Sequence, residues 1–274
     1  MKKGFVYLLL FPGVVFLVIF VIAPLFATIL TTFRLEESFT IESYRQFFTD
    51  PYYLKIYMRT LRTSLIATIL CVILGFPTAY YISKTSMKKK GIYIALAVFP
   101  LLTSPVVRSF SWMAVLGRHG ILNKILVGLN LVESPIRLLY TETAIIIGLV
   151  HLFLPLMILS LVGVMENIEG DLVRAAESLG ASKLQAFLKV VVPLSVPGLL
   201  VGSILVLTGS LTAYTTPQLL GGSRTNVLAT LIYQNAMTLN DWHTASVVAT
   251  IMIVTTIAVI GIMNTAAKKL NPKG

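Results

Sequence analysis

Six long apolar runs leave this chain few ways to fold. They cover residues 5–33, 60–82, 92–115, 141–165, 194–214 and 244–263, and each has at least the roughly 20 residues a helix needs to cross hydrocarbon. In lipid every backbone N–H and C=O must be satisfied within the protein, which leaves helices and closed barrels. Barrel strands would alternate polar and apolar over about 10 residues. These runs stay apolar far beyond that, so the chain reads as all-α and integral to the membrane, with six transmembrane helices. Hydrophobic residues make up 56% of the chain and charged ones 12%, which excludes an ordinary soluble domain. The first run follows Lys2-Lys3 but is too long for a signal peptide and lacks a small-residue cleavage site, so a retained helix is expected.

Short loops rich in Lys and Arg stay on the cytoplasmic side. In a six-helix layout Lys2, Lys3, Lys84, Lys88, Lys89, Lys90, Arg174, Lys183, Lys189, Lys268, Lys269 and Lys273 fall on one side, so both termini are expected in the cytoplasm. Arg34, Arg45, Arg59, Arg118, Arg137 and Arg224 fall on the other side, spread over longer loops. The net charge of +11 suits the anionic inner leaflet of a lipid bilayer, and no nucleic-acid motif gives it another use. Cys71, the sole cysteine, lies in the second run as a packed small residue, so no intrachain disulfide forms.

The outer loops carry helical periodicity of their own. It appears at Ile41, Tyr44, Phe47 and Phe48, at Ile121, Leu122, Ile125, Leu126 and Leu129, and at Val227, Leu228, Leu231, Ile232 and Asn235. Asp50-Pro51 reads as an N-cap followed by proline at the first helical position. Pro100 and Pro105 predict a kink or unwound turn in the third run. Gly198 and Gly202 form a small-xxx-small pattern that suits close helix approach, a candidate dimer contact.

Between the fourth and fifth runs lies a polar hairpin, residues 166–193. Asp171 is expected to N-cap a short helix ending near Gly180, and Ser182-Lys183-Leu184-Gln185 has the spacing of a capping box that opens a second helix running to Pro193. Ala175-Ala176 gives a small face that another surface can approach, while Arg174, Glu177 and Lys183 set register by charge. A hydrophobic chain that keeps such a hairpin at one membrane face is presenting a docking surface.

Ala175-Ala176, three residues, Gly180, nine residues, then Val190-Val191-Val192-Pro193 resembles the EAA loop of the inner-membrane permeases of binding-protein-dependent ABC importers. That family's pattern is Glu-Ala-Ala, three residues, Gly, nine residues, Ile-x-Leu-Pro. Arg174 stands where the family has glutamate, and Val190 and Val192 replace its Ile and Leu. The segments Thr216-Pro217-Gln218-Leu219-Leu220-Gly221-Gly222, His151 with Pro155, and Gly120-Ile121-Leu122-Asn123 resemble the subgroup that includes spermidine/putrescine permeases. That subgroup also serves iron(III), aminoethylphosphonate, thiamine and opine systems.

The resemblance implies a type I importer permease of MetI-like fold in the bacterial cytoplasmic membrane, one transmembrane domain over residues 1–274, with residues 166–193 as the coupling loop between helices 4 and 5. It implies that Arg174, Ala175, Ala176, Glu177, Gly180, Ser182, Lys183, Phe187 and Pro193 couple the chain to two ATPase subunits. It further implies a second homologous permease, expected as a heterodimer, and an extracytoplasmic substrate-binding protein. ATP and magnesium are expected on the ATPase subunits, with no cofactor, metal or catalytic residue in this chain. A small amine such as spermidine or putrescine is the expected cargo.

Arg108, His151, Tyr214 and Pro217 are the pathway candidates. Pro155 lacks an N–H and frees a carbonyl one turn back, so His151 is expected to hydrogen-bond a carbonyl. Arg108 either lines the pathway or snorkels to the interface.

Two rival classes fit less well. The sequence has no G-x-x-x-x-G-K-[ST] loop, so any ATP-driven transport needs a separate ATPase. An ion-coupled secondary carrier running on protons should hold ionisable relays inside its spans, yet Glu142 and Glu166 sit at the rims and only His151 lies deep. A membrane-embedded enzyme lacks an assembled nucleophile and base, since His119, His151 and His243 are scattered and no H-E-x-x-H occurs.

Overall fold

The computed structural model describes residues 11–35 and 38–270. Lys2, Lys3, the first part of the first apolar run and Lys273 lie outside the described residues. Among the described residues the regular structure is helical apart from a two-residue antiparallel ladder of β1 (Arg34–Leu35) with β2 (Ser38–Phe39). It divides into two compact units, one formed by the described residues up to Lys55 with Leu231–Ile253, the other by Ile56–Thr230 and the residues from Val254 onward.

In the first unit, α1 (Phe11–Thr32) is long and apolar enough to span a membrane. Its π-helical turn at Val18–Ile22 is closed by the Ala23 N–H on the Val18 carbonyl, just before Pro24. Widening the helix there relieves the clash between a proline ring and the carbonyl four residues back. The amphipathic helix expected in the first outer loop is α2 (Glu42–Thr49). It buries Phe47, stacks that ring on Tyr53 at 5.4 Å, and joins its Tyr44 hydroxyl to Thr32. Asp50 Oδ1 accepts the Tyr52 N–H at 2.7 Å as α3 (Pro51–Lys84) begins, the cap the Asp-Pro pair predicts.

The second unit holds the rest of α3, then α4 (Met87–Leu102), α5 (Pro105–Leu116), α6 (Ile121–Gly128) and α7 (Glu142–Met165). After α8 (Gly170–Ser178) comes α9 (Lys183–Thr212), then α10 (Thr215–Gly221). Beyond them α11 (Leu228–Tyr233), continued by a π-helical turn at Gln234–Thr238, covers most of the periodic stretch at 227–235, and α12 (Trp242–Leu270) carries the last run. Among the described residues five helices are long and apolar enough to cross a membrane, six when the bent pair Met87–Leu102 and Pro105–Gly128 counts as one span.

That pair bends by 94°, so the run at 92–115 is no straight crossing. Thr103 and Ser104 are extended, with ψ of 145° and 133°. A residue before proline is pushed out of the helical region, and Pro105 then restarts a helix at the position where its missing N–H costs nothing.

Helix α9 packs along α7, and the two glycines of the small-xxx-small pattern are why they come so close. A Cβ on Gly198 would lie 2.7 Å from the Ser160 carbonyl, and one on Gly202 would lie 2.7 Å from Met157 Sδ. The pattern read as a candidate dimer contact is thus spent on packing within the chain. Met157, Leu161, Met165 and Cys71 are buried in the core these helices share with α3, and the Cys71 thiol faces the Val150 carbonyl at 3.8 Å. At one end Lys90 pairs with Glu166 at 3.2 Å. At the other, Arg59 is buried against Glu142 Oε1 at 3.0 Å and donates to the Asn226 carbonyl at 3.0 Å, while Arg62 takes the second Glu142 oxygen.

Candidate functional site

The hairpin between α7 and α9 is built by its caps. Asp171 does not cap α8: the helix starts at Gly170, Glu169 occupies the cap position without a side-chain bond, and Asp171 Oδ1 pairs with Arg174 at 2.9 Å. A carboxylate in the first turn is favoured by the helix dipole, and the arginine standing in place of glutamate, three residues on, gives it a cation on the same face.

The far end of α8 closes as a Schellman turn. The Gly180 N–H bonds the Glu177 carbonyl at 2.9 Å and the Ala181 N–H bonds the Ala176 carbonyl at 3.1 Å. Gly180 takes φ +91°, a conformation that side chains disfavour. The capping box follows as predicted, with the Ser182 N–H on Gln185 Oε1 at 2.9 Å and the Gln185 N–H on Ser182 Oγ at 3.3 Å.

The second hairpin helix does not stop at Pro193. It runs through a π-helical turn at Phe187–Val191 into the membrane as one helix, with the Val192 N–H bonding the Phe187 carbonyl. The wider turn accommodates Pro193 just as the one in α1 accommodates Pro24. One continuous helix therefore joins the hairpin to the core, where it buries Val191 and Val206.

Of the expected coupling residues, Arg174, Ala175, Glu177, Gly180, Ser182, Lys183 and Pro193 are exposed and Ala176 is half-buried. Phe187 faces inward, its ring edge-on to Tyr80 at 4.9 Å and to Phe76 at 5.8 Å, so it anchors the hairpin to α3. Sequence reasoning missed Leu172, Leu179, Leu184 and Leu188, all exposed, Leu179 at 90%. Apolar side chains on the polar end of a membrane protein mark a surface that meets another protein.

A second feature lies at the break between α4 and α5. A cavity of about 300 Å³ is lined by Phe99, Pro100, Thr103, Val107, Arg108, Ser111, Trp112, Val115 and His151. Arg108 is 5% exposed, so it does not snorkel. Its Nη1 donates at 2.5 Å to the Pro100 carbonyl, which also accepts the Thr103 hydroxyl at 2.8 Å. The break leaves the last carbonyls of α4 without helical partners, and Arg108 folds back to satisfy one of them.

His151 meets an indole and not the expected carbonyl: Trp112 Nε1 donates to its Nδ1 at 2.8 Å. Indole N–H is donor only, so Nδ1 is the acceptor and the ring's proton sits on Nε2. Trp112 and Arg108 lie one helical turn apart on α5, a spacing that brings both to His151, but only knowledge of the break shows which helix faces them.

Tyr214 and Pro217 do not line this cavity. Tyr214 precedes α10, and Pro217 is buried within it where α10 packs on α5 and α7. Buried Asn123 clamps the segment between α5 and α7, donating to the Gly117 and Ile136 carbonyls at 3.1 and 3.0 Å and accepting the Ile136 N–H at 3.0 Å.

Comparison with known proteins identifies the family and the fold. A family model described as the binding-protein-dependent transport system inner membrane component matches residues 3–272. The spermidine/putrescine transport system permease protein PotB of Haemophilus influenzae is 34% identical over 264 residues, 94% of this chain and 92% of that protein. PotB of Escherichia coli K12 is 32% identical over 233 residues, 82% of this chain and 84% of that protein. A chain in the crystal structure of a bacterial alginate ABC transporter, in complex with an alginate pentasaccharide-bound periplasmic protein, superposes with a TM-score of 0.84 at 16% identity. The match covers 100% of this chain and 97% of that one, a likeness of fold. The chain belongs to the inner-membrane permease components of binding-protein-dependent transport systems.

Proposed function

We propose that this permease imports a polyamine of the spermidine/putrescine class, paired with a second permease, fed by an external binding protein and driven by two ATPase subunits that grip the hairpin. ATP and its magnesium are carried by those subunits, and both termini of the chain lie in the cytoplasm with the hairpin. The observation that carries the coupling half of this reading is the Schellman turn at Gly180 and Ala181 joined to a helix that continues from Lys183 to Thr212. It presents Leu179 and Leu184 outward while Phe187 ties the same segment to α3. A force on the hairpin is thereby delivered to the helix that packs on α7.

The cargo half is supported by the likeness to PotB over 94% of the chain. Away from their rims the apolar spans hold no carboxylate that would trap a polycation, which fits a pathway that passes amines through carbonyl and aromatic contacts. Tyr214 and Pro217, beside α5 and α7, belong to that pathway in this reading. Uptake of radiolabelled spermidine into proteoliposomes containing the full complex tests it. ATP-dependent accumulation that unlabelled putrescine competes away supports the reading, and accumulation that ignores amines removes the polyamine assignment.

A further inference from the structure

The segments flanking α6 and the turn after α10 bring together cations that the chain itself leaves unpaired. Three cavities of about 340, 390 and 190 Å³ adjoin there. The first and second share Arg118 and Pro135, the second and third share Arg137 and Tyr140, and the third adds Arg224, so they form one groove. Lys124 lines its far end. Arg118, Lys124, Arg137 and Arg224 are exposed, and none of them makes an ion pair among the described residues. No carboxylate lines the groove, and Glu133 is the sole acidic residue in 117–141 and 221–226.

The fold holds these charges together against their mutual repulsion. The Asn123 amide, 1% exposed, bonds the Gly117 carbonyl and both backbone groups of Ile136, the neighbours of Arg118 and Arg137. Tyr140 donates its N–H to the Leu220 carbonyl at 2.9 Å, and a Cβ on Gly222 would lie 2.9 Å from the Tyr140 ring, which sets the Arg224 turn against the Arg137 segment. A preset row of guanidinium groups without counter-ions suits carboxylates, which arginine binds through two parallel hydrogen bonds. An amine cargo is repelled there. A second copy of this chain meeting the groove about a two-fold axis would set the same cations against each other.

The groove lies on the segments before α7 and the hairpin follows α7, so the two occupy opposite ends of that helix. Resting on the importer reading proposed above, in which the hairpin meets the ATPase subunits in the cytoplasm, the groove faces outward. We infer that it is the docking surface for an acidic face of the external binding protein, whose protruding Asp or Glu side chains enter between Arg118, Arg137 and Arg224.

The test measures association of the binding protein that co-purifies with the complex, using biolayer interferometry on the full complex in phosphatidylcholine nanodiscs. The association rate should fall at least about tenfold as salt rises from about 50 to about 500 mM. Arg137→Glu combined with Arg224→Glu should lower it about tenfold or more at low salt while basal ATPase activity stays unchanged. Lys88→Glu with Lys89→Glu, an equal charge change away from the groove, should leave the rate intact, and Arg137→Lys with Arg224→Lys should keep most of it. A wild-type rate that ignores salt overturns the inference without any variant. Unchanged docking by the charge-reversed variant, with retention of phosphatidylglycerol lost instead, also overturns it and gives the groove to lipid headgroups. In both cases ATP-driven uptake persists and the importer reading survives, whereas a complex that recovers neither ATPase nor binding protein removes that reading and the docking surface with it.

Discussion

Trp112 Nε1 donates a 2.8 Å hydrogen bond to Nδ1 of His151, joining α5, the second half of the broken span, to α7. Both side chains are half-buried, so replacing one partner strands the other at the low end of the about 1–3 kcal/mol that an unsatisfied buried polar group costs. Trp112→Phe should therefore lower stability by about 1 kcal/mol, read as a fall in the thermal midpoint of the purified complex. The double variant Trp112→Phe with His151→Phe should cost less than the two single changes added together, and strict additivity would show that the bond contributes nothing.

A β-branched residue at Gly180 has to adopt the left-handed backbone seen there at φ +91°, which costs about 1–2 kcal/mol before any contact is counted. Gly180→Val should leave membrane insertion normal, retain ATPase activity in the complex and abolish coupled uptake. Paired ATPase and transport assays on the same preparation check this; normal uptake would remove the turn from the mechanism.

Leu179 is the most exposed large apolar side chain of the hairpin at 90%, so Leu179→Ser should change stability by less than about 0.5 kcal/mol. Its expected effect is on the partner: recovery of the ATPase subunit in pull-downs should fall about tenfold, as loss of an interface anchor does. Charge reversal at Glu177 or Lys183 should weaken recovery less, since exposed ion pairs are worth about 1 kcal/mol or below.

Much of this was legible in the sequence. Run length and apolar continuity give all-α spans because a bilayer forbids other backbones, and Ser182 with Gln185 announced a cap formed wholly by local bonds. What the sequence hid depended on distant partners. Asp171 looked like a cap because Asp favours that position, but Arg174 three residues on claimed its carboxylate. Gly198 and Gly202 looked equally suited to a partner helix and to α7, and only packing distinguishes those. His151 found Trp112 because a 94° break, of which Pro100 and Pro105 signalled the place but not the angle, swings α5 toward α7.

Gly202 sits where an added Cβ would meet Met157 at 2.7 Å, whereas Gly163 has nothing within 4 Å. Overpacking a tight contact costs about 1–3 kcal/mol, so Gly202→Val should cut the yield of folded permease in the membrane. Gly163→Ala should be neutral or stabilising by about 0.5–1 kcal/mol, because alanine loses less chain entropy in a helix. Thermal midpoints of the two variants should move in opposite directions or, at the least, differ clearly.

Glu142 holds both Arg59 and Arg62, and Arg59 is buried. Glu142→Gln leaves the Arg59 charge without its counter-ion. With Glu142 itself 26% exposed, the cost should be about 2 kcal/mol, below the range for fully buried pairs. Arg62→Gln, at the exposed partner, should cost about 0.5 kcal/mol or less. Denaturation midpoints of the two variants would show the asymmetry, and equal effects would contradict it.

In the function proposed above, a separate ATPase drives this chain through its hairpin. Affinity purification of the tagged chain from its native membrane in mild detergent, with mass spectrometry of what co-purifies, tests it most directly. Recovery of an ABC ATPase and a second permease with the wild-type chain, and loss of the ATPase with Leu179→Ser, is the predicted result. A chain that purifies alone and still moves solute across proteoliposomes without ATP would contradict the account in favour of an ion-coupled carrier.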